Sequence, residues 1–558
     1  MLKRILAVSL ALNFSLAAEA ASPITLLSQQ CIDYQVSLSQ AQVSITPMQA
    51  SIELERQLIG LFNLKDSVRF YRQYPLSADD KEALLQCQLH LADEFARLTQ
   101  SPWIIEQSQL WTQNEQPGLR RFGHHLIRQL KEQISLEQKS RIHTAQASVA
   151  HGLRQKNLSL ALGASHCELQ HQTEHHSAFE DDTKSFDRSI ASYLIAQQDI
   201  SCKRQVWQAY QTRAKERNQA AVSQILSTKQ EIAQQHQAPD YAHWVLSSQL
   251  LKSPAQVKRY LDTMTQTTIA PWMLGTQLAS LPKADIAPVS AANMLEQIEE
   301  KLSPFGLLVE PVNHKMSRLW HHGRLLGDIF LATTPDIRVS PLRQAVIGQQ
   351  FGQLTLSSPE QLEDYRAQEQ FITSIAELVA RMLPGGHYYL NNTLGDTQDT
   401  QALASQWLTL YLTGQLLPTL PIDSREAQLE AFSTQLKVFR SKLALIAYQT
   451  KAERSYQDLS QEFALSFGEP WPQAYDALYS FTGAVNQGPL YYLVLWKKSL
   501  AKQIQAQSRL DTQALFDLLL VNEQQLSLDD QLTLIFGDTT PVVNLLERRQ
   551  HVQHSAIH

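Results

Sequence analysis

Glycine is scarce in this chain, 19 among 558 residues, while glutamine, leucine and alanine are abundant. A chain short of the poorest helix former after proline, and rich in three good ones, points to a mostly α-helical protein. Beyond the first twenty residues, no segment approaches the ~18 unbroken apolar residues that a membrane span needs, which argues against a membrane protein. Runs of one charge sign are missing too. A formal charge of -6 over this length gives no reason to expect a nucleic acid or an anionic membrane as partner. Cysteine is limited to Cys31, Cys87, Cys167 and Cys202, none in a Cys-x-x-Cys pair, so a zinc knuckle is excluded.

The first residues set a compartment. Lys3 and Arg4 precede a mostly apolar run from Ile5 to Leu16, and Ala18-Glu19-Ala20 follows as a small-x-small cleavage signal. Residues 1–20 therefore read as a signal peptide, and the chain as an exported, periplasmic protein. In an oxidising compartment four cysteines allow three pairings. Cys31–Cys87 and Cys167–Cys202 are favoured, since sequence neighbours close the shortest loops.

Residues 21–150 form an N-terminal helical region. A helix begins with Ile52, Leu54, Leu58, Leu61 and Leu64. Ser77 and Asp79 stand before Leu84, Leu91 and Leu98 as the capped start of a second. Arg120 to Leu136 is a third, on which Phe122-Gly123-His124-His125 reads as a surface cluster, with no acid between its histidines. Residues 165–180 hold the one local constellation able to carry chemistry by itself. His171-Gln172-Thr173-Glu174-His175 satisfies the inverted zinc-peptidase pattern, and on a helix His171 and His175 would share a face. The stretch is polar throughout, without an apolar stripe to hold it as a rigid helix. A histidine-rich loop is the commoner outcome of such a composition.

The centre of the chain is Phe371 to Leu383. Ile372, Ile375, Ala376, Val379, Met382 and Leu383 fall on one stripe at 100° per residue, with Thr373, Glu377 and Arg381 along its flank. Taken alone, this is a core helix with a Glu377–Arg381 pair at i, i+4. Earlier, Arg204, Trp207, Ala209-Tyr210, Arg213-Ala214, Asn218, Glu231, Ala233, Tyr241-Ala242 and Ser253-Pro254 follow in an order that resembles the thimet-oligopeptidase family of zinc peptidases. These are scaffold positions: Ser253 and Pro254, for instance, are the N-cap and first residue of a helix. Asp328 to Thr333 resembles a strand of that family and keeps its apolar Phe330 and Leu331, and a second β-prone stretch runs from Ala345 to Leu356.

The resemblance spans residues 151–535, leaving 536–558 as a C-terminal tail. It implies a two-lobed α-helical oligopeptidase-like shell around a deep channel, with a small β-sheet at the cleft edge. It also implies where the zinc site would lie. The family carries His-Glu-x-x-His on the central helix, where this chain has Ala376-Glu377-Leu378-Val379-Ala380. The position of the third ligand, a glutamate on the next helix, falls on Ala402, and no acid occurs between Asp399 and Asp423. In the late motif that supplies oxyanion donors, Thr482, Gln487 and Val494 replace a histidine and two tyrosines, while Tyr491, Tyr492 and Trp496 remain. The expectation is a pseudopeptidase without a cofactor. Glu377 is a vestigial general-base position, and Tyr491, Tyr492 and Trp496 line a channel that holds short peptides. Two alternatives stay open: a zinc enzyme with displaced ligands at His171 and His175, or a partner-binding protein whose cleft has filled.

Overall fold

The computed structural model describes residues 22–36, 46–132, 134–154, 167, 190–400 and 402–537. The expected signal peptide, His171, His175 and the tail from residue 538 lie outside the described residues. Helix takes 65% of the structure and strand 9%, so the helical composition decides the architecture.

The chain opens with α1 (Pro23–Ile32), α2 (Pro47–Tyr71), α3 (Ala78–Thr99), α4 (Pro102–Trp111), α5 (Pro117–Lys131) and α6 (Leu136–Arg154). Their starts are written in the sequence. Thr46 and Gln49 form a reciprocal capping box on α2, and Ser77 accepts from the Asp80 amide at 3.1 Å with Asp79 and Asp80 in the first turn of α3. Proline begins α2, α4 and α5, where its missing N–H costs nothing. The third helix of the sequence reading is thus α5, and it starts and stops earlier than Arg120–Leu136.

The α5 histidines need a correction. Phe122 and His125 are buried and only His124 is exposed, so the stretch is not a surface cluster. Phe122 stacks on Tyr388 at 4.4 Å between ring centroids. A Cβ on Gly123 would come within 2.9 Å of the Ser108 carbonyl oxygen, so only glycine lets α5 lie this close to α4.

Next come α7 (Ile200–Thr212), α8 (Lys215–Gln235), α9 (Tyr241–Leu246), α10 (Pro254–Met264) and α11 (Leu274–Ser280). Ser253 caps α10 through the Gln256 amide, with Pro254 first in the helix. Asn218 is fully buried, its side-chain amide donating to the Val149 and Tyr479 carbonyls. Both favoured disulfides are present: Cys31–Cys87 joins α1 to α3, and Cys167 reaches Cys202 on α7.

The sheet follows. β1 (Val289–Ser290) leads into α12 (Ala291–Leu302), then β2 (Leu307–Asn313), β3 (Met316–His321), β4 (Arg324–Thr333), β5 (Arg338–Arg343), β6 (Gly352–Ser358) and β7 (Gln361–Leu362). Five strands run in the order β2-β3-β4-β6-β5, antiparallel except for β4 beside β6, and β1 pairs with β7. His322 and Gly323, both at positive φ, make the two-residue turn between β3 and β4. The expected strand at 328–333 lies inside β4. The second expectation holds only from Gly352 on, because Gly348 at φ 74° folds the preceding residues into a turn closed by the Val346–Gln350 bridge. One sheet face, with Leu319, Ile329 and Leu356, meets α12 and the helix that follows, α13 (Tyr365–Met382).

The rest is helical: α14 (Tyr389–Thr393), α15 (Leu403–Leu416), α16 (Arg425–Ala447), α17 (Leu459–Phe467), α18 (Thr482–Asn486), α19 (Leu493–Gln507), α20 (Thr512–Phe516) and α21 (Leu528–Phe536). Two apolar cores result. A smaller one gathers Leu54, Leu58, Leu84, Leu91, Trp111 and Phe122 from α2 to α5, and Tyr388, Tyr389 and Leu390 reach into it from far along the chain. The larger takes residues from Ala145 to Phe536.

Candidate functional site

Helix α13 divides its surface between core and cavity. Asp364 caps it through the Ala367 amide at 2.9 Å, and Pro384 follows its end. Phe371, Ile372, Ile375, Val379 and Met382 are buried in the large core as the periodicity requires. The opposite side, with Thr373, Glu377, Ala380 and Arg381, lines a cavity of about 610 Å³. That volume falls within the range of small-ligand sites. The Glu377 carboxylate accepts from Arg381 Nη2 at 2.8 Å and Nε at 3.1 Å, the side-chain pair at i, i+4.

The cavity's other walls come from three places. Helices α2 and α5 supply Asp66, Arg69 and Arg121. Residues Pro384 to Gly395, which include α14, supply Tyr389, Asn391 and Asn392. The start of α15 supplies Ala402 through Gln406, with Lys497 of α19 beside them and Gln525 and Gln531 further on. Ala402 sits in the left-handed region at φ 64°, a strained conformation for a residue with a Cβ, and α15 has no side-chain cap.

Electrostatics are tightest where α14 meets α2. Glu55 is fully buried; one oxygen accepts from the Tyr389 amide at 2.5 Å and the other has no partner among the described residues. Burial pushes its carboxyl up to about 8, against the pull of that hydrogen bond. Asp66 accepts from the Tyr389 hydroxyl at 2.8 Å, yet burial still raises its carboxyl above the ordinary range. Arg121 is held by Asp396 at 2.8 Å. Among the described residues the side-chain oxygens of Asn391 and Gln525 are buried without a donor, while their amide nitrogens donate to the Gly118 and Asn522 carbonyls. A buried acceptor left without a donor costs about 1–3 kcal/mol.

The cavity brings together some of the residues singled out in the sequence. Glu377, Ala380 and Ala402 line it; Ala376 does not, being fully buried in the large core. Tyr492 and Trp496 are core side chains, Trp496 edge-on to Tyr260 at 5.0 Å, and Tyr491 packs against Phe481 at 4.8 Å. None of the three lines this cavity, because their helical turn faces inward against α10 and α16. The contributions of Asp66, Arg69, Tyr389 and Asn391 were missed. The signal for Tyr389 and Asn391 was Pro384-Gly385-Gly386, a helix stop, followed by two aromatics and two asparagines in a polar setting; Asp66 and Arg69 had none.

A zinc ion needs three protein donors at a catalytic site. Ala376, Ala380 and Ala402 offer methyl groups, and Glu377 is engaged by Arg381. Among the described residues, no three histidine, cysteine, aspartate or glutamate side chains are grouped so as to hold a metal. The residues present do not fit that ion. No protein-family model matches the chain, and no curated protein matches it.

Proposed function

We propose that the chain is an exported, catalytically silent relative of the thimet-type zinc oligopeptidases, which holds short peptides in the cavity on α13. In this reading the two cores belong to the two halves of the family's shell, and the cavity is the inner part of its channel. The observation that carries it is the wall of about 610 Å³ in which Glu377 stands with Ala380, Ala402 and the amides of Asn391 and Gln406. Hydrogen-bonding amides suit a peptide backbone, which offers N–H and C=O groups in turn. Water without a metal beside it has no depressed pKa, and the one carboxylate on α13 facing the cavity is bound to a guanidinium.

The test uses the mature chain purified without chelator. Calorimetric titration with mixed-sequence peptides of five to ten residues should give saturable binding, with the peptides intact by mass spectrometry afterwards. Stoichiometric zinc in elemental analysis, together with metal-dependent cleavage, would sink the proposal and favour the displaced-ligand enzyme at His171 and His175. No binding and no cleavage would favour the partner-binding protein with a filled cleft.

A further inference from the structure

The cavity on α13 is lined by more positive than negative charge, in a chain whose formal charge is -6. Arg69, Arg121, Arg381 and Lys497 face the carboxylates of Asp66 and Glu377 across it. Two of these cations are already paired, Arg381 with Glu377 and Arg121 with Asp396. The side chains of Arg69 and Lys497 make no hydrogen bond or ion pair among the described residues.

Each free cation has an acid nearby that does not close on it. Asp66 lies one turn before Arg69 on α2, but its carboxylate accepts from the Tyr389 hydroxyl at 2.8 Å, and burial raises it above the ordinary range. Asp399 acts on Lys497 from beyond ion-pair distance; it is fully buried and accepts from the Leu250 amide at 2.9 Å. Burial holds the Lys497 ammonium below its ordinary value, as it must for a cation with no anion beside it. Both groups stay open to a ligand, Arg69 exposed and Lys497 half-buried. They also stand on different cores: α2 gives Leu58 and Leu61 to the small core, and α19 gives Trp496 and Leu500 to the large one. An unpaired cation on each side of one cavity favours a ligand that carries more than one negative charge.

We infer that the cavity selects acidic peptides, whose side-chain carboxylates pair with Arg69 on the α2 side and with Lys497 on the α19 side. The inference rests on the peptide-binding reading and names the class of peptide. Two partly solvated charge pairs are each worth about threefold in affinity, and about tenfold together.

Hexapeptides that alternate alanine with glutamate, glutamine or lysine, capped at both ends and titrated into the mature protein at low salt, test this. The glutamate peptide should bind about tenfold more tightly than the glutamine one, the lysine peptide most weakly, and added salt should shrink the difference. Arg69→Gln and Lys497→Gln should each cut the glutamate advantage about threefold and the double variant erase it, with the glutamine peptide unaffected. Lys497→Arg should keep it. Removing two exposed charges away from the cavity, Lys81→Gln with Lys139→Gln, should leave the advantage intact, which separates a local pair from net charge. Urea midpoints of every variant show that the fold is kept. Equal affinity for the capped glutamate and glutamine peptides overturns the acidic selectivity and leaves peptide binding standing. A gain from uncapping the C-terminus of the glutamine peptide, without one from glutamate, moves the anion to the terminal carboxylate and also overturns it. If none of the peptides binds, the peptide-binding reading falls and the inference with it.

Discussion

The two cores are built on different terms. The large one closes on itself: α13, α15, α16 and α19 bury one another's apolar faces, and aromatic side chains such as Trp207, Trp272, Phe463 and Trp471 meet edge to face. The small one is incomplete without a loan. Phe62 stacks on Tyr389 and Phe122 on Tyr388, each at 4.4 Å between ring centroids, and both tyrosines belong to the segment after α13. Around that loan the contacts turn polar: Ser51 with the Tyr388 hydroxyl, Glu55 with the Tyr389 amide, Asn63 with Gln350 and Arg121 with Asp396. The cavity opens along this polar seam. Apolar surface drives each core to form, while the seam is where buried charge is tolerated and where a ligand would be felt by both.

Removing the loan should have the largest effect. Tyr389→Ala deletes the stack on Phe62 and strips Asp66 of the tyrosine hydroxyl that donates to it, and a buried aromatic cut to alanine costs about 3–5 kcal/mol. Denaturation of the variant should split into two transitions, with α1 to α5 exchanging amide hydrogens first. A single cooperative transition would mean that the small core does not depend on the segment.

The disulfides sharpen the same contrast. Cys31–Cys87 closes a separation of 56 residues inside the small core, and constraint of the unfolded chain by such a loop is worth about 4 kcal/mol. In the double variant Cys31→Ser, Cys87→Ser, hydrogen exchange should accelerate in α1 to α3 and stay unchanged in α13 and α15. Uniform acceleration would show the cores to be one cooperative unit.

What was legible in the sequence followed from local rules. Ser77, Ser253 and Pro254 announced helix starts because a cap acts within three residues, and the α13 stripe predicted its buried face. The Glu377–Arg381 pair was legible for the same reason. His125 was misplaced because the reading judged its polarity and could not see Tyr388, some 260 residues on, packing beside it on Phe122. Tyr491, Tyr492 and Trp496 were read as channel aromatics, but spacing on a helix does not say which side of it the core will choose. The cavity's wall from Asp66 and Arg69 was out of reach, since nothing in α2 names its distant partner.

Acidity separates the seam from both cores. The folded chain keeps a proton on Glu55 up to about pH 8, while an unfolded glutamate loses it near 4.5. Between those values folding binds a proton, so raising the pH removes stability. His125 acts the other way: burial first, then Arg121 and Arg128, holds its imidazole well below the ordinary 6.5, and stability falls as pH drops below that value. The two effects oppose one another below pH 6.5; above it the opponent of Glu55 is Lys229, whose burial brings its ammonium down to about 8, so that rising pH near 8 favours the folded chain through that lysine. From pH 6.5 to 8 stability should fall by about 1 kcal/mol, and Glu55→Gln should remove that fall in urea titrations. An unchanged slope in the variant would assign it elsewhere.

The smallest effect bears on the question of chemistry. Glu377 is 44% exposed and its partner Arg381 36%, so their pair is largely solvated and worth about 0.3–0.5 kcal/mol. As a structural partner, Glu377→Gln should lower stability by no more than that and leave peptide affinity within twofold of the parent, because an amide still accepts from the guanidinium. As a general base, the same change would remove the group that takes the proton from an attacking water, and any peptide cleavage by the parent would fall by about 10²–10⁴. Measuring peptide turnover beside urea stability for both proteins separates the roles. Cleavage present in the parent and lost in Glu377→Gln would return α13 to catalysis and make the cavity an active site. Unchanged peptide handling with a shift of a few tenths of a kcal/mol would leave Glu377 as the solvated half of a helix pair, on the cavity side of a helix whose other side holds the large core.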